Sequence, residues 1–135
     1  VTESLIDTDI LSYYFKGETN TVKHFNSYLK EFEFINISII TYYEIIGGLK
    51  FKNAEKQILQ FEEFIKNNNI IHISEKSARI SGKIYADLRQ NGIIIGTSDI
   101  LIAGIAIEND LTLVTNNEKH YQPINGLSTE NWSKY

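Results

Sequence analysis

Apolar positions along the chain alternate between short dense runs, the rhythm of buried strands, and recurrences at three and four residues, the rhythm of helices. Residues 4–7 form an apolar run that stops at Asp7, predicting a strand that passes into a helical turn over 10–15 and ends at Gly17. From Thr19, an N-cap candidate, Val22, Phe25, Leu29 and Phe32 mark one helical face. Residues 34–37 read as a second strand. Ser38 caps a third helix through Leu49, interrupted or ended by Gly47-Gly48, and a fourth spans about 54–66 with Ile58, Phe61 and Ile65 inward. A turn at Asn67-Asn68-Asn69 precedes a third strand at 70–73. Ser74 caps a fifth helix with Ala78, Ile80, Ile84 and Leu88 buried, ending at Asn91-Gly92. Thr97 or Ser98 caps a sixth helix, apolar nearly all round over 100–107. A fourth strand follows at 111–115, and a short tail strand lies near Leu127.

Strands separated by helices predict an α/β fold of three layers, α/β/α, with a central, mostly parallel sheet. No repeat, Pro-rich linker or low-complexity tract divides the chain, so one domain over 1–135 is expected. In such sheets ligands bind beyond the carboxyl ends of the strands.

Composition narrows the function. At 135 residues the chain can bury roughly 65–70% of its unfolded surface without disulfides or a structural metal. With no Cys, disulfide scaffolds and thiolate zinc sites are excluded. No apolar stretch approaches the roughly 20 residues of a spanning helix, and no signal segment opens the sequence, so a cytoplasmic protein with no membrane partner is expected. Thirteen Lys and Arg against 17 Asp and Glu, a net charge of −4, argue against a sequence-independent nucleic-acid coat. Where the acids sit then decides whether they mean solubility or chemistry.

Most of them lie on solvated faces. Three are embedded in apolar runs: Asp7 within 4–11, Glu44 within 39–46 and Asp99 within 97–103. A buried carboxylate must be paired, hydrogen-bonded or metal-bound. Singly, each has an ordinary role: Asp7 or Asp9 as a helix cap, Asp99 as a complement to a helix dipole, Glu44 as a partner of Lys50 or Lys52. Together, the topology brings them to one rim, where Asn116 and Asn117 also arrive. Three carboxylates with few local cations suit a hard divalent ion, Mg²⁺ or Mn²⁺.

At these residues the sequence resembles the PIN-domain ribonucleases, specifically the VapC-type toxins of type II toxin–antitoxin pairs. Leu5-Ile6-Asp7-Thr8-Asp9 looks like the family's first motif. Residues 39–48, with Thr41, Glu44 and Gly48, look like the second, and 96–103, around Ser98 and Asp99, like the third. Residues 113–117 through Tyr121, then Gly126-Leu127 and Glu130-Asn131-Trp132, look like the closing segment. The resemblance covers essentially the whole chain. It implies a PIN-like fold and a metal-dependent endoribonuclease in which Asp7 and Asp99 bind Mg²⁺ or Mn²⁺ and Glu44 completes the catalytic acids. Asp9, Ser98, Asn117 and His120 would then orient substrate or support the ligands. It also implies an RNA substrate, a small cognate antitoxin, a homodimer and possibly a larger toxin–antitoxin assembly. One departure stands out: the family commonly carries a fourth acid where this chain has His120, which supplies no negative charge.

Other chemistries have less support. His24, His72 and His120 are too far apart for a local zinc motif, and no phosphate-binding glycine loop is present. Asp7-Thr8-Asp9 also resembles the nucleophile motif of haloacid-dehalogenase-type phosphatases, but Leu11 stands where that family has Thr or Val. The aromatics Tyr13, Tyr14, Tyr42 and Tyr43 flank the acids as core packing or as base-stacking surfaces. The missing fourth acid motivates the alternative of a catalytically weak or inactive PIN-like module that binds RNA or protein.

Overall fold

A computed structural model describes residues 2–134. Its sheet contains β1 (Ser4–Ile6), β2 (Asn36–Ser38), β3 (Asn69–Ile71), β4 (Thr112–Val114) and β5 (Thr129–Glu130) in the order β3-β2-β1-β4-β5, every neighbouring pair parallel. Registers are in step: Leu5 lies opposite Asn36 and Leu113, and Asn36 opposite Asn69. The carboxyl ends therefore form one rim, with β1 at its centre. The expected three-layer α/β/α fold is the one observed.

Side-chain alternation on the strands divides the core. Leu5 and Leu113 point into a cluster with Ile84, Leu88, Ile100, Ile102 and Ile105, while Ile6, Ile37 and Val114 point into another with Ile10, Leu11, Phe25, Tyr28, Phe61 and Trp132. The first layer is built by α5 (Glu75–Gln90), α6 (Thr97–Glu108) and the short α7 (Glu118–Tyr121). The second is built by α1 (Thr8–Phe15), α2 (Thr19–Glu31) and α4 (Glu55–Ile65). Most of the apolar side of α3 (Ile39–Phe51) joins this second cluster, while its Ile40 packs into the first.

Several boundaries differ from expectation for local reasons. Asp7 caps α1, so that helix starts at Thr8 rather than after a polar gap. Glu18, not Thr19, caps α2 by accepting from the Asn20 and Thr21 N–H groups, and the buried face is Thr21, Phe25 and Tyr28 while Leu29 is exposed. The Gly47-Gly48 pair does not end α3, which continues to Phe51 with both glycines exposed. Gly96 precedes α6, so neither Thr97 nor Ser98 caps it. Strands β2 and β3 are displaced from the expected 34–37 and 70–73, leaving Phe34 and Ile73 exposed. Ala78 is exposed, and α5 instead buries Ser77 and Ser81 against α6. There Ser81 Oγ donates to the Ile100 carbonyl at 3.0 Å. Gly104 faces both serines, and a Cβ at that position would lie 2.7 Å from the Ser77 carbonyl oxygen.

Candidate active site

Asp7 follows the last residue of β1. Its N–H donates to the Val114 carbonyl at 2.9 Å, which fastens it to β4, and its Oδ1 accepts from the Thr8 N–H at 2.9 Å as the cap of α1. Its Oδ2 receives the Thr115 hydroxyl at 2.9 Å. Capping and membership of the pocket are thus compatible, because the two oxygens divide the work. Asp7 is only 7% exposed. Burial, reinforced by the charge of Asp9, pushes its carboxyl up to about 6 against the pull of the Thr8 and Thr115 hydrogen bonds.

Asp99 lies in the first turn of α6. The Tyr121 hydroxyl stands between it and Asp7, 3.0 Å from Asp99 Oδ1 and 3.3 Å from Asp7 Oδ2. One phenol proton satisfies only one carboxylate at a time, so the pair shares a single donor. Burial and these two acids raise the Tyr121 pKa far above its ordinary value, which keeps the hydroxyl protonated. The other Asp99 oxygen, Oδ2, is 2.8 Å from His120 Nε2.

Glu44 reaches the same rim from the second turn of α3. It pairs with neither Lys50 nor Lys52: Thr8 Oγ1, 3.0 Å from Thr41 Oγ1, donates to Glu44 Oε1 at 2.7 Å. Ser38, at the end of β2, accepts from the Thr41 N–H and thereby sets the start of α3. Asp9 accepts from the Ile10 N–H at 2.7 Å and the Asn116 N–H at 3.0 Å, and burial raises its pKa.

Of the other expected residues, Asn117 contributes through its backbone, donating to Thr115 Oγ1 at 3.1 Å. Ser98 lies in the first turn of α6 beside Asp99, half-buried, and makes no hydrogen bond to the acids. The sequence does not single out Thr8, Thr115 or the Tyr121 hydroxyl, and it places Asn116 at the rim without the backbone role seen here. Their signal was hydroxyl and amide residues at strand ends, where a carboxylate needs donors. The aromatics divide: Tyr14 stacks on Phe25, the Tyr42 hydroxyl donates to Glu62, and the Tyr13 hydroxyl accepts from Asn116, while Tyr43 is 70% exposed.

The donor set fits a hard divalent ion. Among the described residues no Lys or Arg forms an ion pair with Asp7, Asp9, Glu44 or Asp99. Among the described residues no group of three or more His, Asp or Glu side chains is placed to hold a metal ion by itself. An ion held by one or two carboxylates, with water and phosphate oxygens completing its shell, needs none.

Residues 4–123 match the PIN domain family. Ribonuclease VapC2 of Rickettsia felis is 36% identical over 96% of this chain and 98% of its own length. The tRNA(fMet)-specific endonuclease VapC of Shigella flexneri is 31% identical over 96% and 97%. Among solved structures, the fold is similar to VapBC2 from Rickettsia felis bound to a promoter DNA fragment (TM-score 0.87, 33% identity, 96% of this chain and 98% of that one). It is also similar to VapBC-1 from nontypeable Haemophilus influenzae (TM-score 0.86, 30% identity, 97% and 98%). Matched over nearly its whole length, the chain belongs to the PIN-domain family, among the VapC-type ribonucleases.

Proposed function

We propose that this chain is the toxin of a toxin–antitoxin pair, a Mg²⁺- or Mn²⁺-dependent endoribonuclease that hydrolyses RNA phosphodiester bonds at the Asp7–Glu44–Asp99 rim. The observation that carries the reading is the pair Asp7 and Asp99, joined through one phenol hydroxyl and lacking a Lys or Arg partner. Asp7 and Asp99 would hold the ion. When bound, the ion polarises the phosphodiester and lowers the pKa of attacking water. Thr115 and the α1 N-terminus fix both oxygens of Asp7, so the carboxylate presents a defined edge. Glu44, held by Thr8, would accept the proton of the attacking water. Asp9, anchored by Asn116, adds negative potential that favours a cation over a bare phosphate.

The relatives named VapC and the VapBC complexes support an antitoxin partner, and the resemblance supports a homodimer of 1–135 units. An antitoxin side chain bearing a guanidinium would suit the paired carboxylates.

The test is cleavage of structured RNA by purified protein with Mg²⁺ or Mn²⁺, beside Asp7→Asn and Asp99→Asn. The Shigella relative makes initiator transfer RNA the first substrate to try. Metal-dependent cleavage lost in both variants is expected. Cleavage that survives both removes the site assignment, and its reproducible absence in the wild type favours a binding module.

A further inference from the structure

Deepening the proposed cleavage at this rim, on which it rests, we propose that Tyr121 is a positioning residue for the reaction: with His120 it makes α7 a clamp that grips Asp99 by both oxygens and ties it to Asp7. The two carboxylates are held very differently. Asp7 receives the Thr8 N–H on Oδ1 and the Thr115 hydroxyl on Oδ2, so α1 and the end of β4 fix it without help from α7. Among the described residues, the hydrogen bonds to the Asp99 carboxylate come from α7 alone, from the Tyr121 hydroxyl to Oδ1 at 3.0 Å and from His120 Nε2 to Oδ2 at 2.8 Å. A carboxylate only accepts, so the imidazole donates through Nε2. The Asp99 side chain is 35% exposed, and without those two donors nothing would hold it to one rotamer.

The clamp holds because α7 is anchored elsewhere. Its four residues are far too few for a helix to stand alone. Tyr121 is 2% exposed, its ring in the cluster with Leu5, Ile102 and Leu113, and Ile124 is buried in the same cluster one turn on. Glu118, at the other end of α7, accepts from the Thr129 hydroxyl at 2.9 Å, which fastens the helix to β5. The phenol ring is therefore a fixed post whose hydroxyl stands between the acids, 3.3 Å from Asp7 Oδ2 as well as 3.0 Å from Asp99 Oδ1. Two like charges that repel are kept no further apart than those two contacts allow. Cleavage that needs both acids at one phosphodiester depends on that spacing, since a displacement of about 1 Å costs up to about 100-fold in rate.

Tyr121→Phe, which keeps the ring and its packing, tests this beside His120→Gln, which keeps a donor, and His120→Leu, which does not. Each is assayed for cleavage of structured RNA with Mg²⁺ or Mn²⁺, and metal-free crystal structures of the wild type and Tyr121→Phe are compared. The expected result is a kcat about tenfold lower in Tyr121→Phe and His120→Leu with KM within about twofold, and His120→Gln within about threefold of the wild type. In the Tyr121→Phe crystal the Asp99 carboxylate should turn away while Asp7 keeps Thr8 and Thr115. A wild-type kcat in Tyr121→Phe, a loss confined to KM, an unmoved Asp99, or equal losses in His120→Gln and His120→Leu overturns the clamp and leaves the Asp7–Asp99 site standing. A wild-type protein that cleaves no RNA overturns both. Thermal melts check folding, and the two His120 variants decide should Tyr121→Phe fail to fold.

Discussion

Asp7 is held where burial and a neighbouring acid oppose its charge, a cost that a proton or a bound cation relieves. Its carboxyl titrates near 6 in the folded protein against 3.8 when free, because burial and Asp9 disfavour the charge. A raised carboxyl binds an extra proton in the folded state between those values, so metal-free stability declines as pH rises from about 4 through about 6, by roughly 3 kcal/mol. Asp7→Asn, which keeps a capping oxygen, should remove that slope and stabilise the metal-free protein by a similar amount at pH 7.5, while abolishing cleavage. Urea denaturation at pH 4.5 and 7.5 measures both. Ion binding should strengthen with pH up to about 6 and level off above it, since Asp7 must lose its proton first. Thr8→Val should cost activity through Glu44: kcat falls about tenfold with stability changed by about 1 kcal/mol, read by RNA cleavage beside a thermal melt. Asp7, Asp99 and Glu44 were legible in the sequence because charges inside apolar runs demand partners. Thr8, Thr115 and the Tyr121 hydroxyl were not, because a hydroxyl is as much at home in a core, a cap or a turn as in a site.

Among the elements, the α5–α6 crossing is the tightest contact. Gly104 sits where Ser77 and Ser81 leave no room for a side chain, and the nearest obstacle that cannot swing away is a backbone carbonyl. Gly104→Ala gains helix propensity of about 1 kcal/mol. Overpacking nonetheless wins, and a net loss of about 1–3 kcal/mol is expected in chemical denaturation. Gly82→Ala, in open space on the same α5, should be neutral or stabilising. The hydrophobic rhythm located α1 to α6 because each buries enough apolar surface to leave a period. It misjudged ends where backbone geometry decides: α3 runs through two glycines because no strand or cap interrupts it, and α6 begins at Gly96 without any capping side chain. The four-residue α7, which carries His120 and Tyr121, is too short to show a period at all.

At the scale of the whole molecule, the two-sided core was readable from the alternation of strand and helix, and so was the parallel sheet. Strand order was not, because the apolar runs of three or four residues carry no record of which neighbour they pair with. The order matters, since β1 at the centre gives Asp7 neighbours on both sides. Ion binding should therefore stabilise the entire fold: Mn²⁺ at about 100 times its Kd adds about 2.7 kcal/mol, seen as a rise in Tm that Asp7→Asn and Asp99→Asn abolish. Central placement has another result. Beyond α1, the partners of Asp7 are Val114, Thr115 and Tyr121, and Asp9 rests on Asn116, which is itself held by Asn131 and Ser133. Asp7 thus has no pocket to belong to until residues 108 and 114 positions further along the chain, Thr115 and Tyr121, have folded against it. A chain not yet folded through β4 and α7 lacks the assembled rim, and the cleavage proposed for it awaits that folding.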